Sequence, residues 1–201
     1  MPFPARIAIA TRNAHKLREI GRICADWPVV WLTEDRHEGR WPEVEEPHDS
    51  YLENALAKAR EVSASLGVPA VADDSGIEVD ALGGAPGPRS ARYAGEDATD
   101  EQNLTALLRA LEAVPPEGRG ARYRCVAAVA WPGGRELWAE GVCEGALEAV
   151  PRGSGGFGYD PAFVPQGQGR TMAELTDEEK DRISHRGRAF RALRDRLAAE
   201  G

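Results

Sequence analysis

An apolar run, Val68-Pro69-Ala70-Val71-Ala72, leads directly into two adjacent carboxylates, Asp73 and Asp74, and then into Ser75-Gly76. The run reads as a buried strand, and a strand holds the side chains it carries rigidly. The Ser-Gly pair is a place where a ligand can approach the backbone, because glycine has no Cβ. Neighbouring buried carboxylates repel each other unless positive charge stands between or beside them. A divalent metal, often carrying phosphates, is the usual source of that charge. This one segment therefore predicts metal-assisted chemistry on an anionic substrate.

The rest of the chain alternates between strand and helix patterns. Residues 6–10 read as a short buried strand, followed by a helix with Leu17, Ile20 and Ile23 or Cys24 on one face and Pro28 beyond its end. Residues 29–32 read as a second strand, and 33–48 as a long charged loop. Ser50 and Glu53 have capping-box spacing, and Leu52, Leu56, Ala59 and Val62 give the helix that follows an apolar face. Thr99 and Gln102 suggest another capped helix, and residues 121–131 and 135–148 two strands around Pro132-Gly133-Gly134. From Thr176 the chain is helical, with Thr176 and Glu179 as caps and a second start at Ser184. The expectation is an α/β fold with a mixed sheet, built as a single domain over residues 1–201.

Composition removes some function classes. The net charge of -8, from 33 acidic against 25 basic residues, disfavours nucleic-acid binding, which needs a basic face. Three cysteines without CxxC spacing fit a reducing cytoplasm and give no zinc or redox signature. No apolar run is long enough to cross a membrane, and the N-terminus lacks a signal-peptide core.

Four segments could carry chemistry. Thr11-Arg12-Asn13-Ala14-His15-Lys16 sits where the first strand meets the first helix, a place where free N–H groups and the helix dipole bind phosphate. A plain helix cap followed by a solvated lysine is the other reading of that stretch. Glu43, Glu45 and Glu46 lie in the long loop, and one of them could complete a Mg²⁺ site with Asp74. Phe157-Gly158-Tyr159-Asp160 follows a glycine-rich stretch. Phe157 suits stacking on a base, and Tyr159 suits anchoring the loop in the core. Lys180 and Ser184-His185-Arg186 lie on or between the C-terminal helices.

Taken together, the blocks Ala10-Thr11-Arg12-Asn13-x-x-Lys16, Ala72-Asp73-Asp74-Ser75-Gly76, Gly156-Phe157-Gly158-Tyr159-Asp160-Pro161 and Ser184-His185-Arg186 resemble the inosine triphosphate pyrophosphatase family. The resemblance runs nearly end to end. It implies a long mixed sheet with helices in two lobes around a substrate cleft, a homodimer, and Mg²⁺-dependent hydrolysis of ITP, dITP and XTP to the monophosphate and pyrophosphate. It implies Asp74 as proton acceptor and metal ligand, with Glu45 or Glu46 as second ligand. It also implies substrate contacts from residues 11–16, Ser75, residues 157–160, Lys180, His185 and Arg186. The chain departs from the family around Pro47-His48-Asp49-Ser50 and at Arg12, which either adds charge beside the phosphates or points away. The rivals are a septum-inhibitor-type nucleotide pyrophosphatase, which the Ser-His-Arg block opposes, and a nucleotide sensor without turnover, which Asp74 and Lys16 oppose.

Overall fold

The computed structural model describes residues 3–37, 41–44 and 48–199. Strands β1 (Arg6–Ile9), β2 (Val30–Leu32), β3 (Ala70–Val79), β4 (Gly120–Ala130), β5 (Glu136–Leu147) and β6 (Phe163–Pro165) form one sheet in the order β2-β1-β3-β4-β5-β6. β1 runs parallel to β2 and β3, whereas β5 runs antiparallel to β6, so the sheet is mixed. The α-helices are α1 (Ala14–Ile23), α2 (Tyr51–Leu66), α3 (Asp100–Ala110), α4 (Asp177–Ile183) and α5 (His185–Ala199). The mixed α/β fold is the one the sequence predicts. β6 is the unforeseen strand, a three-residue piece that ends in Pro165.

Two compact units make up the chain. The first comprises residues 1–74, 125–141 and 186–201, and the second residues 75–124 and 142–185. In the first, Ile7, Ile9, Val71, Cys125, Ala127 and Val129 pack with Ile20 and Cys24 and with Ala189, Phe190, Leu193 and Leu197 of α5. The alternate strand residues Ala8, Ala10, Ala70 and Ala72 pack instead with Ala59 and Val62 of α2. Successive strand residues face opposite ways. The strand alternation therefore gives β3 an α1/α5 face and an α2 face, and small alanines let α2 come close.

In the second unit, Ile77 and Val79 of β3 pack with Leu104, Leu107 and Leu111, and with Tyr123, Leu147, Tyr159 and Phe163. The parallel register of β1 with β3 reaches only Ile9 and Val71. Further along β3 the segment 85–90 bonds instead. Val79 N–H donates to Ala85 O at 3.2 Å, Glu78 bridges Pro86, and Ile77 N–H donates to Ser90 Oγ at 2.9 Å.

The helix starts follow their caps. Ser50 accepts from Glu53 N–H, and Thr99–Gln102 and Thr176–Glu179 form reciprocal capping boxes. Gly67 ends α2 in a left-handed conformation at φ 67°. Ser184 is extended, so α4 and α5 are separate helices and Lys180 and Ser184 do not share one continuous helix.

Candidate active site

Strand alternation decides the fates of the two adjacent carboxylates. Asp73 follows the direction of Val71 and faces α1 and α5, and Asp74 follows Ala72 toward α2.

Asp73 is fully buried. Its Oδ2 accepts from Arg186 Nη2 at 3.0 Å and Nε at 3.2 Å, and lies 3.3 Å from Lys16 Nζ. Glu19 of α1 pairs with the same guanidinium. Burial alone would raise the Asp73 carboxyl pKa. Arg186, Lys16 and Lys58 outweigh burial and hold it well below the usual carboxylate range. Burial likewise works against the Arg186 charge, but Asp73 and Glu19 raise its pKa above the ordinary value. The Cys125 thiol lies 3.8 Å from Asp73 Oδ2, and burial, reinforced by Asp73, pushes its pKa up, so it stays protonated.

Asp74 is held by α2. Asn54 Nδ2 donates to its Oδ2 at 3.0 Å, and Lys58 Nζ stands 3.8 Å from its Oδ1. Asn54 also donates to His48 O and accepts from His48 N–H, so it ties Asp74 to the end of the long loop. Asn54 and Lys58 escaped the sequence reading. The available signal was two polar residues four apart, beside Ala55 and Ala59 on the buried face of a helix. Such residues need a partner when buried.

At the start of α1 the structure shows a helix cap. Asn13 Oδ1 accepts from His15 and Lys16 N–H, and Thr11 Oγ1 accepts from Asn13 N–H. His15 is exposed, and its Nδ1 lies 2.9 Å from Arg18. Arg12 turns toward the charged loop, where it meets Glu34 and Glu43 at 3.2 Å each and Trp41 O at 3.4 Å. Glu45 and Glu46 lie outside the described residues.

The second unit carries the aromatic loop. Asp160 Oδ2 accepts from Phe157 N–H at 2.9 Å and pairs with buried Lys180, whose Nζ sits 5.1 Å from the Phe157 ring centre. A Cβ at Gly156 would meet Asp160 Oδ2 at 2.1 Å, so glycine is what lets this carboxylate fold back under the loop. Phe157 itself is half-buried. Tyr159 is buried in the core, as expected, with its hydroxyl donating to Ser90 O at 2.7 Å. The His185 ring stacks on Tyr123 at 4.5 Å with 7° between planes. Ser75 is half-buried where β3 enters this unit.

The donor chemistry fits Mg²⁺ through one carboxylate. No group of three or more His, Cys, Asp or Glu that could hold a metal ion gathers among the described residues. Mg²⁺ commonly takes one or two carboxylates and completes its shell with waters and substrate phosphates. Asp74 supplies hard oxygen atoms for this, while the charge of Asp73 is already met by Arg186 and Lys16.

Fold and site together define an α/β protein with a buried acidic pair met by Lys16, Lys58 and Arg186. The comparisons agree. The Ham1 family model matches residues 7–196, and the chain belongs to this family. It is 49% identical over 197 residues to a protein from Geobacter sulfurreducens named dITP/XTP pyrophosphatase, with 98% of each chain covered. It is also 49% identical over 190 residues to a Streptomyces coelicolor protein of the same name, with 94% of each covered. Among solved structures, a HAM1 protein from Coxiella burnetii matches with TM-score 0.86 and 39% identity over 98% of this chain and 100% of that one.

Proposed function

We propose that the protein hydrolyses ITP, dITP and XTP to the nucleoside monophosphate and pyrophosphate, and so clears deaminated purines from the nucleotide pool. One observation carries the reading. Asp74 is held by Asn54 and Lys58 on the α2 side of β3, beside Asp73, whose Oδ2 is engaged by Arg186 and Lys16. The relatives named dITP/XTP pyrophosphatase support the substrate class. The proposal extends to Mg²⁺ dependence, a homodimer, a cytoplasmic location and one pyrophosphatase domain over residues 1–201. Among the described residues no helix is long and apolar enough to cross a membrane.

In this reading Asp74 holds the metal, with Glu45 or Glu46 as second ligand. When bound, Mg²⁺ neutralises charge on the triphosphate. The ammonium groups of Lys16 and Lys58 add positive charge at the phosphates, and Thr11 to Lys16 line their path. Asn54 fixes Asp74 through Oδ2, and the Asp74 carboxylate takes the proton of the water that attacks the α-phosphorus. The bond to the β-phosphate oxygen breaks and pyrophosphate leaves. Positioning and charge stabilisation do most of the work in such transfers.

The base contacts in this reading come from the residues around Phe157. Phe157 stacks on the base, Asp160 and Lys180 hold that ring in place, and Ser75, Gly158 and Tyr159 complete the contacts through their segment. Hypoxanthine and xanthine present an acceptor oxygen at C6, where adenine presents a donor. The Arg186 guanidinium is engaged with Asp73 and Glu19, so the donor to this oxygen falls to His185 and to backbone N–H groups near it. A polar mismatch in a site built for hydrogen bonding discriminates by roughly 10⁴ or more.

Incubation with ITP, dITP, XTP, GTP and ATP, with Mg²⁺ and with EDTA, tests the reading. IMP plus pyrophosphate from ITP, lost in EDTA and nearly absent as a reaction with ATP, is the expected result. IDP plus phosphate would mean attack at the γ-phosphorus and a different enzyme. No turnover would favour a sensor.

A further inference from the structure

We infer that Ser90 is a positioning residue that locks the Ser75 segment of β3 and the Phe157–Asp160 loop to each other. The inference rests on the nucleotide reading above, in which both segments contact substrate.

The lock has two arms on one buried residue. Ser90 lies in the 3-10 segment Gly87–Arg92 and is 6% exposed. Its hydroxyl accepts from Ile77 N–H at 2.9 Å and donates to Gly87 O at 2.6 Å. This arm grips β3 where β1 no longer pairs with it. Its carbonyl accepts from the Tyr159 hydroxyl at 2.7 Å, and that arm grips the aromatic loop. Burial pushes the Tyr159 pKa up, with Tyr93 and Asp100 adding to the effect, so the phenol keeps its proton and remains a donor.

Two further observations show that the contact is built. A Cβ at Gly76 would lie 2.1 Å from Gly87 O and 2.6 Å from Ser90 Oγ, so the strand can close on this segment only because residue 76 is glycine. Asn103 of α3, itself buried, donates to Ala91 O at 3.0 Å and accepts from Ala94 N–H at 2.8 Å. The segment that carries Ser90 is thus fixed from its other end. Ser75 immediately precedes the gripped strand residues, and Tyr159 lies between Gly158 and Asp160. A rigid link between the two sets the distance between a strand contact and a base contact. Small misplacements of binding groups are costly, up to about 10²-fold for 1 Å.

The test is steady-state kinetics with XTP and Mg²⁺ on wild type, Ser90→Ala, Tyr159→Phe and the double variant, each with a thermal melt. Ser90→Ala cuts the strand arm and keeps the carbonyl, whereas Tyr159→Phe cuts the loop arm and keeps the ring. Each single variant should raise KM about tenfold with kcat within about threefold. The double variant should be little worse than either single, because both arms belong to one link. Leu197→Ala, a core truncation in the first unit, should lower the melting temperature and leave KM unchanged. Unchanged KM in Tyr159→Phe would overturn the assignment while leaving the nucleotide reading intact, and so would multiplication of the two effects in the double variant. A wild type that turns over none of ITP, dITP or XTP would refute the nucleotide reading, and the role of Ser90 with it.

Discussion

Replacing Asp73 with asparagine removes one charge and almost no volume, so it isolates the electrostatic role of a fully buried carboxylate. Three anions, Glu19, Asp73 and Asp74, stand with three cations, Lys16, Lys58 and Arg186, in the first unit. The substitution leaves that group one positive charge in excess, with Arg186 buried. Breaking a buried pair by neutralising one partner costs about 3–5 kcal/mol. In a chain of this size each kcal/mol moves the melting temperature by about 2–4 °C, so the midpoint should fall by roughly 6–20 °C.

The pH dependence follows from the depressed Asp73 pKa. Its contribution is fully present above the unfolded value of about 3.9 and is lost as pH falls below it, at about 1.4 kcal/mol per pH unit. The gap between wild type and Asp73→Asn should therefore be flat from about pH 7 to pH 5 and narrow below about pH 4. Calorimetric melts across that range measure it. Glu136→Gln is the control. It breaks the pair with partly exposed Arg60, which is worth at most about 1 kcal/mol. A midpoint within about 2 °C of wild type at pH 7, or a gap that persists unchanged at pH 3, would refute the reasoning.

Asp74→Asn should lower kcat by about 10³-fold or more while the protein still melts cooperatively, and kinetics with XTP check this. Lys58→Met should lower kcat/KM by about 10²-fold, with the loss greatest at low Mg²⁺, and a Mg²⁺ titration of the rate reads it out. Gly76→Ala forces a Cβ to 2.1 Å from Gly87 O and should destabilise by about 1–3 kcal/mol, measurable by denaturant unfolding.

Much of this was legible in the sequence because the signals were local. Capping residues sit beside the helices they start, so Ser50, Thr99 and Thr176 marked α2, α3 and α4. The apolar run before Asp73 marked β3, and the glycines around residue 156 marked the loop. Tyr159 read correctly as an anchor, since a large ring next to a turn usually packs inward. What escaped was everything that depends on which face meets which partner. Of the two readings of the Thr11–Lys16 stretch, the helix cap is the one the side-chain bonds of Asn13 display, and whether it also meets phosphate depends on a ligand and not on local pattern. Arg186 was expected as a base contact, and that its guanidinium meets a carboxylate 113 residues away was not legible. Asn54 and Lys58 were hidden because a helical pattern shows which residues face inward but not that a carboxylate waits there.

The buried charge cluster also has a consequence for how the chain assembles. Its members come from α1, α2, the middle of β3 and the first turn of α5, so the balancing guanidinium is the last of them to be synthesised. Until residue 186 leaves the ribosome, Asp73 has Lys16 but not its strongest partner. The first unit therefore matures late, after the whole of the second unit has already been made. A chain released just short of that point would carry every residue of the acidic pair and of the first helix, and still be unable to bury them.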